Sequence, residues 1–275
     1  MLNVSELYIY PIKSLGGIKV SRAEVTDRGF KYDHRWLLID EHNRFISQRE
    51  VALMALLRVV IEDDGLKITF NETSIIIPFN VENKELIEVI IWDDKCLAQL
   101  IDDKIDRWFT DVLGVNCRLV YMPDESLRPT DPRYTPDGSV TSFADAYPFL
   151  LISQASLDDL NSRLDVTLPI DRFRPNIVIS GGQPHQEDLM DELVINGVSF
   201  FGVKLCARCN IPTIDQQTAK AGKEPTKTMA RYRSKNNKIY FGQNLIHSGT
   251  GFISVGDEVN VLSQHTEERF IIEKK

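Results

Sequence analysis

The stretch LVINGVSFFGVKLCARC, residues 193–209, carries the most informative pattern in this chain. Two apolar runs flank Asn196-Gly197, a dipeptide that favours a type I′ turn because both central residues need positive φ. The stretch therefore predicts a β-hairpin whose second strand leads directly into Cys206-Ala-Arg-Cys209. In an intracellular protein, two cysteines at this spacing usually indicate metal binding or redox chemistry.

Strand-like patterns continue on both sides of this hairpin. A second hairpin is expected over residues 57–70 around Asp63-Asp64-Gly65, with further strands over 7–10, 176–180 and 258–262. Helices are fewer: one over residues 105–113 ending at Gly114, one capped by Ser156 that carries Leu157, Leu160 and Leu164, and one over 226–233. The pattern predicts a β-rich α+β protein, barrel-like, with a few covering helices.

A proline-rich polar stretch, Met122–Asp137, contains Pro123, Pro129, Pro132 and Pro136. Such a stretch is typical of a linker or a long functional loop. We therefore expect two domains, one over residues 1–120 and one over residues 121–275.

The overall charge restricts the possible partners. The 275 residues include 32 Lys and Arg and 40 Asp and Glu, a net charge of −8, which disfavours general binding to nucleic acid or anionic lipid. No run approaches the roughly 20 apolar residues of a membrane-spanning helix, and no signal core opens the chain. We expect a cytoplasmic protein.

The cysteine pair alone has several interpretations. It could form a zinc site with Cys96 and Cys117, act as a redox dithiol, or supply one thiolate to a soft metal with help from Lys204 and Arg208. Both cysteines could equally be small buried hydrophobic residues. Histidine-based zinc catalysis is disfavoured, because the five histidines show neither HxxH nor HExxH spacing.

Two further segments could bind an anion. Arg174 precedes Pro175 at the start of a predicted strand, where its guanidinium could grip a phosphate and Asn176 could add an amide donor. Lys13-Ser14 precedes two glycines, which would let backbone N–H groups approach an anion. A surface salt bridge and a plain turn are the alternatives.

Taken together, these segments resemble the MOSC family, in particular its branch of amidoxime reducing components. The segments that resemble its amino-terminal β-barrel domain are residues 10–14 (YPIKS), 33–36 (DHRW) and 45–49 (FISQR). Those that resemble the MOSC domain proper are residues 143–145 (FAD), 147–153 (YPFLLIS), 172–176 (RFRPN), 206–209 (CARC), 241–244 (FGQN) and 255–259 (VGDEV). The match runs in order along nearly the whole chain.

The resemblance implies a molybdenum cofactor, a pterin-bound molybdenum held by one protein thiolate. That metal ligand and catalytic residue falls on Cys209, with Cys206 as a neighbour. The implied cofactor-binding residues are Lys13 and Ser14 at the phosphate end, and Arg174, Asn176, Asp145, Ala207, Arg208 and Asn244 around the pocket.

Three positions depart from the family pattern. His34 stands where the family has arginine, so either His34 or Arg35 is expected to make that cofactor contact. Ala146 replaces a hydroxyl residue, and Met190 replaces a tryptophan.

The implied function is reduction of N-hydroxylated compounds, such as hydroxylamines and amidoximes, by a molybdenum-dependent oxidoreductase. These residues include neither a membrane anchor nor the cysteines of an iron–sulfur domain. Electrons are therefore expected from a separate partner such as a ferredoxin, a cytochrome b5-like protein or a flavin reductase. Two alternatives remain: a sulfur carrier with a persulfide on Cys209, and a cofactor-binding protein without catalytic activity.

Overall fold

The computed structural model describes residues 1–135 and 138–267, which form nineteen β-strands and three α-helices. The strands are β1 (Asn3–Ile9), β2 (Ile18–Val20), β3 (Arg22–Thr26), β4 (Gly29–Phe30), β5 (Trp36–Ile39), β6 (Arg58–Ile61), β7 (Gly65–Phe70), β8 (Thr73–Pro78), β9 (Leu86–Ile91), β10 (Asp94–Leu100), β11 (Arg118–Tyr121), β12 (Phe149–Ser153), β13 (Ile177–Ser180), β14 (Met190–Ile195), β15 (Val198–Ala207), β16 (Ser234–Lys235), β17 (Lys238–Ser248), β18 (Gly251–Ser254) and β19 (Val259–Gln264). The helices are α1 (Asp103–Leu113), α2 (Gln154–Asn161) and α3 (Thr226–Met229). Short 3-10 helices span Ala52–Leu56, Ile170–Phe173, Gln186–Leu189 and Ile211–Thr213. The predicted β-rich α+β fold is confirmed.

The largest sheet has nine strands in the order β19-β14-β15-β17-β12-β13-β1-β2, with β16 added to β17. The β12–β13 pairing is parallel, and its neighbours are antiparallel. Strand β1 joins this sheet through β13, with Leu7 opposite Ile177. Strands from both sides of residue 120 thus share one sheet, and the division into two domains near that residue stays a prediction.

Three smaller sheets complete the fold, in the orders β5-β11-β10-β9, β6-β7-β8 and β18-β3-β4. Phe149 and Phe200 are fully buried in the hydrophobic core of the large sheet. Trp36 and Phe109 belong to a second core that packs around α1. Because burying each such side chain contributes on the order of 1.5–3 kcal/mol, these two cores dominate the stability of the fold.

The two predicted hairpins are both present. Ile195 pairs with Val198, so Asn196 and Gly197 alone form the turn, and their φ angles of 46° and 80° are both positive as a type I′ turn requires. The 57–70 hairpin forms between β6 and β7, with Arg58 opposite Thr69. The first of these hairpins fixes the register of β15, the strand that leads to the cysteine pair.

The predicted helices are present, with two corrections to their bounds. Helix α1 ends at Gly114 as expected, with φ of 68°. Helix α2 begins after Ser153, whose hydroxyl oxygen caps it by accepting the Ser156 N–H at 3.1 Å; Ser156 itself lies inside the helix and its hydroxyl donates to Glu187. Helix α3 ends at Met229 and not at residue 233, because the next N–H groups make tighter i→i−3 bonds such as Tyr232 to Met229.

The proline-rich stretch after residue 121 packs against the rest of the protein. Ser126, Arg128 and Thr130 are buried, and the Arg28 guanidinium donates to the Ser126 carbonyl at 3.0 Å. The last two residues of the predicted linker, 136 and 137, lie outside the described residues, as do residues 268–275. No helix within 1–135 or 138–267 is long and apolar enough to cross a membrane.

Candidate functional site

A pocket of about 120 Å³ collects ten of the eleven residues predicted for the site. It lies where the segment after β1, the loop before β12, the entrance to β13 and the end of β15 meet. The predicted residues that line it are Lys13, Ser14, His34, Asp145, Arg174, Asn176, Ala207, Arg208, Cys209 and Asn244. Positions up to 231 residues apart in sequence are therefore neighbours here, as the interpretation of a single site requires.

The cysteine pair lies at the end of β15, where the strand is irregular. The pairing of β15 with β17 shifts register twice, between Gly202 and Lys204 and between Leu205 and Ala207. Such bulges redirect side chains and are common beside active sites. Cys206 and Cys209 are both partly exposed and unbonded to each other. The irregular end of the strand thus presents both thiols to the pocket.

Arg208 separates the two thiols and contacts one of them. Its Nη1 lies 3.2 Å from the Cys206 sulfur, and its Nη2 donates to the Phe173 carbonyl at 2.7 Å. Burial raises the pKa of the Cys206 thiol, and the Arg208 charge only partly offsets that effect. In the absence of a metal, burial therefore favours the neutral thiol of Cys206.

Lys13 and Asp145 form an ion pair in the pocket, with Nζ 2.6 Å from Oδ1. Lys13 is buried and also donates to the Phe143 carbonyl at 2.8 Å, whereas 59% of the Asp145 side chain is exposed. Desolvation by the surrounding protein would raise the pKa of Asp145, but the charge and hydrogen bond of Lys13 hold it below its ordinary value. Asp145 is an ionised carboxylate that fixes the Lys13 ammonium.

The side chains of His34 and Arg35, the two residues proposed for one contact, lie in different places, and the arrangement favours His34. His34 lines the pocket, and its Nδ1 lies 2.5 Å from the buried carboxylate of Asp33. Arg35 lies outside the pocket and donates to Tyr121 at 3.1 Å and to Asp124 at 2.7 Å. His34 belongs to the turn before β5 and has a positive φ of 51°, so its side chain leaves the chain in a different direction from that of Arg35.

Arg174 stands at the entrance to β13 with a left-handed backbone, φ 53°. Its guanidinium carbon lies 4.2 Å from the centre of the Tyr10 ring, and its Nη1 donates to the Leu15 carbonyl at 2.7 Å. Its other terminal nitrogen, Nη2, is buried and makes no hydrogen bond to any described residue. Arg174 is therefore fixed in orientation with one donor left over.

Asn176 and Asn244 also line the pocket, but the Asn176 amide already has partners. Asn176 Oδ1 accepts the Leu150 N–H at 3.1 Å, and Nδ2 donates to the Tyr8 carbonyl at 3.4 Å. Asn244 lies on β17 opposite Leu150 and Lys204. Asn176 thus holds together the strands that shape the pocket.

Three residues near the pocket were missed by the sequence prediction. Arg49 lines the pocket within the segment 45–49, which had been quoted for its resemblance without a role for this residue. Trp92 donates to Asp145 Oδ1 at 3.3 Å, and Arg128 donates to the Asp145 carbonyl at 3.1 Å. No sequence signal pointed to Trp92, while the buried Arg128 lies in the proline-rich stretch.

The four-cysteine zinc site is not formed. Cys96 belongs to one hydrophobic cluster and Cys117 to another, and burial raises the pKa of both thiols to about 11. No group of three or more His, Cys, Asp or Glu side chains in 1–135 or 138–267 is placed to hold a metal ion. A metal bound by one thiolate and by its own organic ligand needs no such group.

The pocket fits an anionic, oxygen-rich ligand such as the phosphate-bearing pterin that the resemblance implies. Three buried polar atoms of its lining, Arg174 Nη2, Arg208 Nε and Tyr147 Oη, have no hydrogen-bond partner among the described residues. Buried donors are almost always paired in folded proteins, so their convergence on one pocket indicates an acceptor supplied from outside the chain. Lys13 and Arg49 add positive charge to the same lining.

Known families match both halves of the chain. The model of the MOSC N-terminal beta barrel domain matches residues 1–116, and that of the MOSC domain matches residues 138–260. Mitochondrial amidoxime-reducing component 1 of Mus musculus is 34% identical over 95% of this chain and 82% of the mouse protein. The match thus extends over most of both proteins.

Two other similarities are more limited. Molybdenum cofactor sulfurase of Oryza sativa subsp. japonica is 31% identical over 88% of this chain, which spans about a third, 32%, of that protein. The solved structure of the YUAD protein from Bacillus subtilis aligns over 94% of both chains with a TM-score of 0.44 and 13% identity.

Proposed function

Because this chain belongs to the MOSC family, we propose that it is a molybdenum-cofactor-dependent oxidoreductase that reduces N-hydroxylated compounds. The observation that carries the proposal is the convergence of Cys209, four cationic side chains and unpartnered buried donors on one pocket. The mouse relative, named an amidoxime-reducing component, supports the substrate class.

In this proposal, different residues bind different parts of the cofactor. Cys209 supplies the thiolate to the metal, while Lys13, Arg174 and Arg208 bind the anionic groups of the pterin. When bound, this cofactor supplies a redox-active metal that exchanges two electrons with the substrate. Asp145 keeps the Lys13 ammonium in place, and Asp33 orients the His34 ring.

The overall reaction cleaves the N–O bond of a hydroxylamine or amidoxime. Two electrons from a separate donor protein and two protons convert the hydroxyl oxygen to water and leave the parent amine or amidine. The proposed electron donor is a ferredoxin, a cytochrome b5-like protein or a flavin reductase.

Metal analysis combined with turnover tests the proposal. Wild-type protein, Cys209→Ser and Cys206→Ser are purified from a host that makes molybdenum cofactor, and each is assayed for benzamidoxime reduction with reduced methyl viologen. We expect near-stoichiometric molybdenum and turnover in the wild type and in Cys206→Ser, and loss of both in Cys209→Ser. Normal reduction by a metal-loaded Cys209→Ser protein would contradict the assignment.

A sulfur-carrier role is the second candidate, favoured by the match to the rice molybdenum cofactor sulfurase. Cys209 would then hold a persulfide, which adds about 32 Da to the intact mass. If this mass shift is found and the protein purified from the same host contains no molybdenum, the sulfur-carrier proposal replaces the reductase proposal. Bound pterin without turnover would instead indicate a cofactor-binding protein without catalytic activity.

A further inference from the structure

The turn between β9 and β10 places a large aromatic side chain in an unfavourable backbone conformation. Ile91 pairs with Asp94, so Trp92 and Asp93 alone join the two strands. Trp92 has φ of 58°, a region in which the first position of such a turn normally holds glycine. For a bulky residue this conformation is an outlier, and such strain is concentrated at functional sites.

Trp92 is also poorly buried for its size. Its relative exposure is 47%, so much of the indole surface faces solvent and adds little to the hydrophobic core. A tryptophan whose role was to stabilise the turn would be expected to bury its ring. Burial of apolar surface alone therefore does not explain a tryptophan at this strained position.

Three contacts connect Trp92 to the pocket. Its Nε1 donates to Asp145 Oδ1 at 3.3 Å, the Arg49 guanidinium carbon lies 4.2 Å from its ring centre, and the Phe45 ring lies 5.2 Å away. All three partners line the pocket that contains Cys209. Trp92 therefore lies beside the pocket, next to three of its lining residues, and its ring is held by a carboxylate, a cation and a second aromatic ring.

We propose that the exposed ring of Trp92, beside the pocket, binds substrate and that the site prefers N-hydroxylated compounds carrying a planar aromatic ring. The inference rests on the proposed function and narrows its substrate class. An aromatic ring beside the N-hydroxyl group can pack against the indole and Phe45 in offset or edge-to-face geometry. An aliphatic compound with the same reactive group gains no such contact.

Two amidoximes that differ only in the ring test this preference. The ratio of kcat/KM for benzamidoxime to that for acetamidoxime is compared in wild type, Trp92→Gly and Trp92→Phe. We expect the ratio to favour benzamidoxime in the wild type, to fall about five- to tenfold in Trp92→Gly, and to recover to within about twofold in Trp92→Phe. Trp92→Gly should fold, because glycine relieves the strained φ.

A matched control is Asn71→Gly, which also replaces a positive-φ residue in a two-residue turn, between β7 and β8. Its kcat/KM ratio should equal that of the wild type. An unchanged ratio in Trp92→Gly would overturn the role of Trp92 even if both compounds are reduced.

Binding without turnover separates this inference from the proposed function. Calorimetry of benzamidoxime with the oxidised holoprotein, without an electron donor, should show a dissociation constant raised about five- to tenfold in Trp92→Gly. Wild-type protein that binds benzamidoxime through Trp92 but reduces neither compound would contradict the reductase and leave the binding role supported. Equal affinities in wild type and Trp92→Gly would overturn the binding role.

Discussion

The ammonium of Lys13 lies 2.6 Å from Oδ1 of Asp145, although 132 residues separate them in the chain. Lys13 is only 4% exposed, and burial lowers its pKa despite the attraction of Asp145. A lowered pKa means that the fold disfavours the charged lysine relative to water. The ion pair with Asp145 therefore offsets only part of the cost of burying this ammonium.

Lys13→Met is expected to weaken cofactor binding and to lower the stability of the fold. Methionine fills similar space, but it leaves the Asp145 carboxylate and the Phe143 carbonyl without the Lys13 donor, so the free energy of unfolding of the metal-free protein should fall by roughly 1–3 kcal/mol. Loss of a charged hydrogen bond to phosphate should lower cofactor retention about tenfold or more. Urea unfolding and molybdenum content after dialysis measure the two effects. Arg35→Lys, outside the pocket, should change neither retention nor turnover.

Arg128→Lys tests the support of the loop that carries Asp145. Arg128 is buried and its guanidinium donates to the carbonyls of Ser142, Ala144 and Asp145 while it pairs with Asp94 at 2.8 Å. A lysine cannot donate to all of these acceptors at once, so we expect the free energy of unfolding to fall by roughly 2–4 kcal/mol. Thermal unfolding checks the loss.

The matched control for this change is Arg133→Lys, because Arg133 is exposed and its ion-pair partner among the described residues is Asp131. Its melting temperature should match that of the wild type. Equal melting of Arg128→Lys and wild type would contradict the supporting role of Arg128.

Gly17→Ala should disturb the pocket through Tyr10, the residue that packs against Arg174. A Cβ at Gly17 would overlap the ring of Tyr10, which is fully buried and packs against the Arg174 guanidinium. The ring has no room to move, so we expect a loss of about 1–3 kcal/mol in the free energy of unfolding and weaker cofactor retention. Gly222→Ala, where the nearest atom would be the Thr213 carbonyl oxygen at 3.7 Å, is the control and should be neutral.

His185 should make the stability of the protein depend on pH. Burial, together with the charge of Arg233, lowers the pKa of His185 to about 4 even though Asp159 raises it. In the unfolded chain the imidazole binds a proton near pH 6.5. Between those values the unfolded state holds more protons, so stability falls as pH drops from about 6.5 to 4, by on the order of 1–3 kcal/mol.

His185→Asn should flatten this part of the stability curve. Asparagine does not titrate and tolerates the left-handed φ of 62° at this position. Urea unfolding at pH 7, 5.5 and 4.5 measures how the free energy of unfolding changes with pH. The control is His42→Asn at an exposed position, which should leave this pH dependence as it is in the wild type. A slope as steep in His185→Asn as in the wild type would show that another group titrates in this range.

The sequence predicted those turns and helix ends that depend on the conformation of one or two residues. Asn196-Gly197 fixed a two-residue turn, and Gly114 ended α1 because each position needs a backbone that glycine or asparagine adopts easily. The cap of α2 was placed three residues late. Ser153 and Ser156 are both suitable caps by sequence, and only the contact of Ser156 with Glu187 distinguishes them.

The site residues were predicted from motifs that resemble the MOSC family, and not from secondary-structure patterns or residue spacing. Ten of eleven residues meet in one pocket, but the sequence did not determine whether His34 or Arg35, both just before β5, would face it. Trp92 could not be found either. Its position depends on the sheet β5-β11-β10-β9, which brings the turn after Ile91 beside the loop before β12.

The pairing of β1 with β13 has a consequence for the order of events during protein synthesis. Lys13 emerges from the ribosome early, whereas β13, Cys209 and Asn244 follow far later, and the pocket needs all of them. At roughly 5–20 residues per second, most of the chain exists before its binding site does. A cofactor bound in this pocket would therefore enter a nearly finished polypeptide, and nascent chains that stop before β17 would lack part of the site.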